Sequence, residues 1–134
     1  MVGDWFRFRY TIDGKETVHT FRIGLIENEL GDYYVWGERS GVLGRMCYPE
    51  RLEPIPLTQE ILEKNGFVRS EKSSRKPYQL IDSSTYVSII KGRLNARYHE
   101  NVGRPMNAMQ IDCNYVHELQ HALKLCGIDK EIIL

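Results

Sequence analysis

Phe6-Arg7-Phe8-Arg9-Tyr10, followed three residues on by Asp13-Gly14, is the stretch on which the fold reading turns. Aromatic and cationic residues alternate with period two, placing Phe6, Phe8 and Tyr10 on one face of a strand and Arg7 and Arg9 on the other. Asp-Gly tolerates positive φ at both positions and so favours a two-residue hairpin. A second strand is expected over about Thr17 to Leu25, with Phe21, Ile23 and Leu25 on one face. Glu27 to Gly31 reads as the next turn, Tyr33-Tyr34-Val35-Trp36 as a third strand and Val42 to Tyr48 as a fourth. Short strands joined by Gly-containing turns predict an antiparallel β-meander or partial barrel.

Beyond it, Pro49 to Pro56 marks a change of architecture, since Pro54 and Pro56 favour extended backbone and forbid helix. Thr58 is suited to cap a helix over Gln59 to Lys64, with Leu57 and Leu62 as a hydrophobic staple and Asn65-Gly66 as the stop. Ser70 to Pro77 reads as an exposed loop. Tyr78 to Ile81 and Thr85 to Lys91 form a hairpin around Asp82-Ser83-Ser84, and Leu94 to Tyr98 adds a strand. Asn101 to Asn107 reads as loop and Met109 to Ile111 as a short strand. A last helix covers about Asn114 to Cys126 and stops at Gly127, leaving Ile132-Ile133-Leu134 to pair at a sheet edge or pack down as a tail. The fold class is therefore α+β. One domain is expected over residues 1–134, a meander at 1–48 with the helix, second small antiparallel sheet and amphipathic C-terminal helix of 49–134 packed on it.

Composition narrows function only loosely. The apolar share of 42% and charged share of 27% are those of a globular chain rather than a disordered one. Eighteen Lys and Arg balance eighteen Asp and Glu, so no basic surplus supports a general grip on nucleic acid. No stretch approaches the roughly 18 apolar residues of a membrane span, and the first residues lack a signal-peptide layout. Cys47, Cys113 and Cys126 are an odd set without paired spacing, which reads as reduced thiols in a cytoplasm.

His117-Glu118-Leu119-Gln120-His121 spells H-E-x-x-H, a string that on a helix brings two zinc ligands to one face with a glutamate placed as general base. Val116, Leu119, Ala122, Leu123 and Cys126 form the apolar stripe of that helix, and His117, Gln120, His121 and Lys124 lie opposite. A third ligand is hard to find. The extended metzincin pattern would put Gly at 124 and His at 127, where this chain has Lys124 and Gly127. Asp129 and Glu131 follow too closely, while His19, His99 and Cys113 lie upstream. Cys113, His117 and His121 are spaced four and four, spanning roughly 12 Å of helix, too far for one tetrahedral ion.

Other constellations are weaker. Asp82-Ser83-Ser84 sits in a turn without a G-x-S-x-G elbow, and Gly37, Gly41 and Gly44 form no phosphate loop. Trp5, Tyr33, Tyr34, Trp36 and Tyr48 make the first sheet aromatic, which reads either as a stacking platform for a base, sugar or peptide or, more simply, as core filling. Arg7, Arg9, Arg22 and Arg39 would have to cluster with those aromatics to make a nucleic-acid-binding barrel.

Two blocks carry a resemblance. Leu52-Glu53-Pro54-Ile55-Pro56-Leu57-Thr58 through Asn65-Gly66-Phe67, and Tyr115-Val116-His117-Glu118-Leu119-Gln120, resemble a family of small uncharacterised proteins of Bacteroidetes, their phages and integrated elements. The resemblance covers about 25 of 134 residues. It implies that Tyr115, His117, Leu119 and Gln120 are the shared part of the second block, whereas Glu118 and His121 vary. It brings no activity, cofactor or catalytic residue, and it implies a phage-related or mobile-element setting. The expectation is a non-catalytic protein-binding or accessory protein without cofactor, with Trp5, Tyr33, Trp36, His117 and Gln120 as contact surface. Its rival is a zinc-dependent hydrolase with His117 and His121 as ligands and Glu118 as base.

Overall fold

The structure, a computed structural model, describes residues 1–39, 42–47, 49–72, 74–81, 85–98 and 109–134. The Asp82-Ser83-Ser84 turn, the 101–107 loop, Tyr48 and His99 lie outside the described residues, as does the side chain of Arg39. The fold is α+β, and the described residues form two antiparallel sheets, two short α-helices and a 3-10 turn at Pro49–Arg51. It divides into two compact units, Met1–Ile55 and Pro56–Leu134, at the Pro-rich stretch where the sequence changes character.

The first unit holds β1 (Trp5–Ile12), β2 (Lys15–Glu29), β3 (Asp32–Arg39), β4 (Val42–Cys47) and β5 (Leu52–Pro54), ordered β4-β3-β2-β1-β5. It is an open sheet with β4 and β5 at its edges, so the barrel alternative is not realised. Phe6 opposes Phe21 and Phe8 opposes His19, as the alternation requires. Phe21, Ile23 and Val35 are buried, with Phe6, Phe8 and Leu52 packed against them. Two departures are informative. β5, read only as extended chain, pairs Pro54 with Phe6 and Leu52 with Phe8; an outermost strand tolerates proline because it owes no further ladder bond. And β2 does not stop near Leu25. A bulge between Ile23 and Leu25 lets it continue to Glu29, with Glu27, Asn28 and Glu29 opposite Tyr34, Tyr33 and Asp32. Cross-strand pairing here overrides a turn-like composition.

The second unit holds α1 (Gln59–Lys64), β6 (Val68–Arg69), β7 (Tyr78–Ile81), β8 (Thr85–Ile90), β9 (Arg93–Tyr98), β10 (Met109–Asp112) and α2 (Val116–Leu125), with sheet order β10-β9-β8-β7-β6. Its buried set includes Leu62, Phe67, Val87, Ile89, Leu94, Ala96, Leu119, Leu123 and Ile132. The apolar stripe of α2 is buried as expected, Val116 and Leu119 fully. Thr58 Oγ1 accepts the Ile61 N–H at 3.3 Å, capping α1.

Both helices stop by the same device. After α1 the N–H of Gly66 donates to Glu63 O and that of Phe67 to Leu62 O; after α2, Gly127 donates to Lys124 O and Ile128 to Leu123 O. Gly66 and Gly127 take φ of 84° and 73°, the left-handed turn of a Schellman motif. Each brings a buried apolar pair together, Phe67 with Leu62 and Ile128 with Leu123. The tail beyond α2 packs down rather than joining a strand. Ile132 is buried, and the backbone of Ile133 exchanges two hydrogen bonds with the side chain of Asn65.

Candidate functional site

The H-E-x-x-H string falls at the start of α2. Tyr115 is the N-cap residue, with extended backbone, and Glu118 is the third residue of the helix. The Glu118 carboxylate turns back along the axis. Its Oε2 accepts the backbone N–H of Asn114 at 2.6 Å and of Tyr115 at 3.1 Å. These amides belong to the helix entry, which no intrahelical carbonyl can satisfy, and a carboxylate there also meets the positive end of the helix dipole. Glu118 therefore has a structural task that a general base in the same place would have to abandon.

The two histidines share a face, but in contact with one another and with an aromatic neighbour. Tyr115 stacks on His117 with centroids 5.9 Å apart, and His117 meets His121 edge-on at 6.1 Å. His117, Gln120 and His121 are half-buried and Lys124 is exposed, so the side opposite the apolar stripe is partly covered.

Cys113, the upstream candidate ligand, is buried, and its N–H donates to Gly92 O at 2.7 Å. Desolvation first, and the Glu118 charge second, push its thiol up to about 12, so at neutral pH it is a protonated core side chain rather than a thiolate. Burial likewise raises the Cys126 thiol. Among the described residues no three His, Cys, Asp or Glu side chains gather as a metal would need.

A prediction follows from the two thiols. At pH 8 in native buffer, Cys113 and Cys126 stay unmodified by iodoacetamide while both react in denaturant, read by peptide mass spectrometry. The raised Cys113 value also sets a sign. The neutral thiol is the form the fold favours, so its contribution to stability is whole below about pH 9 and lost as pH rises from there toward 12.

The aromatic surface divides. Register puts Trp5 opposite Arg22, Arg22 opposite Glu38 and Trp36 opposite Leu25, so Trp5 and Trp36 share one face and Tyr33 points from the other. Arg22 lies over the Trp5 ring at 5.8 Å and Trp36 Nε1–H donates to the Glu27 carboxylate at 2.8 Å. Arg9 is paired with Glu16 at 2.6 Å and with Glu53 at 3.1 Å, which raise its pKa further, Glu53 first. These partners blunt any basic patch on that face.

Tyr33 has different company. It stands on the hairpin arm of β2 and β3, where Leu25, Ile26, Leu30 and Tyr33 are all exposed. The turn at its tip is Leu30-Gly31, with φ of 54° and 92°, and the Gly31 N–H donates to Asn28 Oδ1 at 3.1 Å. Positive φ at both positions suits a tight hairpin but calls for Asn, Asp or Gly at the first. The Asp13-Gly14 turn of the same sheet meets that demand, with φ of 51° and 74°. Leu30 does not, and its side chain is fully exposed at 102%. A leucine here strains the backbone and presents an apolar side chain to water, with no local gain from either. From Ile23 to Glu38 the arm also carries Glu27, Glu29, Asp32 and Glu38 and no Lys or Arg. Leu30 was missed in the sequence because the turn was read as five residues long; a Leu-Gly pair where Asn-Gly is expected was the signal.

No helix among the described residues is long and apolar enough to cross a membrane. Compared with protein-family models, curated proteins and solved structures, the chain matches none.

Proposed function

We propose that this chain is a non-catalytic protein-binding or accessory protein that grips its partner with the β2–β3 arm. The observation that carries the reading is Leu30, strained in the left-handed region and wholly exposed at the tip of an acidic hairpin. Backbone strain persists where something other than local stability maintains it, and such positions cluster at ligand contacts. The partner is a protein offering an apolar pocket for Leu30, flanked by Lys and Arg that meet Glu27, Glu29 and Asp32. Tyr33 and Ile26 extend the contact along the face of the arm opposite these carboxylates. The setting we propose is the cytoplasm of a bacterium, in a phage or mobile-element context, without membrane or nucleic acid as partner.

This reading leaves the H-E-x-x-H to architecture. A zinc hydrolase would need Glu118 to give up two backbone amides, and it would need a third ligand besides His117 and His121. The test is photo-crosslinking from position 33 in the native host, repeated in a Leu30→Asn background and at raised salt. The reading expects one dominant adduct to a protein, lost in the variant and weakened by salt. An adduct pattern indifferent to both changes would sink it.

A further inference from the structure

We propose that the cationic cavity of the second unit binds a small organic phosphate, a phosphate monoester carrying an apolar body. The cavity is about 360 Å³, toward the lower end of ligand-sized pockets. Leu57, Leu62, Tyr78 and Ile89 supply apolar lining, and Arg75, Lys76 and Lys91 supply cations. Two adjoining hollows share Arg75 and Lys91, one of them reaching Arg93. Apolar floor and cationic rim together match an amphipathic anion rather than a bare ion or a neutral molecule.

The backbone supplies an independent argument. Among the described residues, the non-glycine positions with positive φ are Asp13, Leu30, Lys76 and Lys91. Aspartate tolerates that region and lysine does not favour it. Both lysines so held, at φ of 43° and 46°, stand on this one cavity. Lys76 also precedes Pro77, a position already restricted. Lys91 opens the Lys91-Gly92 turn between β8 and β9, where asparagine would cost less.

That turn is fixed in place. A Cβ on Gly92 would lie 2.1 Å from Asn114 Oδ1, the Cys113 N–H donates to Gly92 O at 2.7 Å, and Asn114 O accepts the Leu57 N–H at 2.8 Å. The turn is thereby held against the 113–114 segment, and Lys76 and Lys91 both line the one cavity. Lys76 has Glu71 at 3.6 Å and Arg93 has Asp112 at 3.7 Å, whereas no carboxylate among the described residues pairs with Lys91. Lys91 is the anchor for the phosphate, with Arg75 and Lys76 beside it.

The probe is 1-naphthyl phosphate, with inorganic phosphate and 1-naphthol as controls lacking the body or the head. Titrations are followed by amide chemical shifts of the full chain, with Lys91→Gly and Lys76→Gly as variants. Glycine adopts both backbone conformations freely, so the variants fold, with melting temperatures equal to or above wild type. The expected result is saturable binding that moves the amides of Gly92 and Asn114. It weakens about tenfold in Lys91→Gly, the worth of one charge-assisted hydrogen bond, and exceeds both controls by at least about tenfold. Absence of saturation, equal affinity for inorganic phosphate, or unchanged affinity in Lys91→Gly would each overturn the proposal. Failure here leaves the β2–β3 arm untouched, since its test reads a different unit and a different partner.

Discussion

Leu30→Asn raises the unfolding free energy by about 0.5–1 kcal/mol and at the same time weakens partner binding about 10- to 150-fold. The first effect comes from the backbone. A residue with a Cβ held left-handed costs roughly 1–2 kcal/mol, and asparagine recovers part of that through its local hydrogen bonding. The exposed leucine gives nothing back to the free protein, because its side chain is in water. The second effect is the transfer of one leucine side chain from water into a partner's pocket, about 1.5–3 kcal/mol, converted to affinity. Opposite signs make the test sharp. A purely structural Leu30 would give the gain in stability with binding unchanged. Urea denaturation and a binding isotherm with the crosslinked partner, once purified, read the two effects separately.

Asn65→Ala lowers the unfolding free energy by about 2–4 kcal/mol. Asn65 is 2% exposed, and its amide is fully engaged. Nδ2 donates to Ile61 O at 2.8 Å and to Ile133 O at 2.7 Å, while Oδ1 accepts the Ile133 N–H at 2.8 Å. One side chain thus closes the end of α1 and clamps the tail that buries Ile132. Truncation removes all three bonds, and while Ile61 O keeps the Asn65 N–H, the Ile133 N–H and C=O both lose their Asn65 partner, each lost bond costing about a kcal/mol and an unsatisfied buried group more. Asn65→Asp is expected to cost at least as much, since a carboxylate oxygen would then face two carbonyl oxygens. Hydrogen exchange at Ile133 should accelerate in both variants beyond the global change. A loss under about 0.5 kcal/mol would mean the clamp is not formed in solution.

Much of this architecture is local and was legible. The Phe6-Phe8-Tyr10 alternation names β1, Asp13-Gly14 names its turn, and Thr58 with Asn65-Gly66 brackets α1 to the residue. What escaped was decided at a distance. β5 exists only because β1 offers it an edge, and β2 runs past Leu25 only because β3 pairs with it. The cavity is assembled from residues near 57, 75, 90 and 114, which no local pattern connects. Glu118 was misleading for a different reason. A capping box usually announces itself by Ser or Thr three residues before the Glu, and here that place holds Tyr115, so the metal-binding pattern was the only familiar one left. Left-handed leucine and lysines sit where a sequence-level rule is broken, and each breach falls on a surface to which we assign a contact.

On the function we propose, this chain works by binding and its H-E-x-x-H string is architecture. That reading is tested most directly by the unfolding free energies of Glu118→Ala and Glu118→Gln. A cap predicts that alanine costs about 1 kcal/mol, because two entry amides lose their acceptor, and that glutamine, which still accepts, costs only a few tenths. A general base held in place for chemistry predicts the reverse order of concern, with both variants as stable as wild type or more so. Two neutral or stabilising substitutions at position 118 would contradict the account.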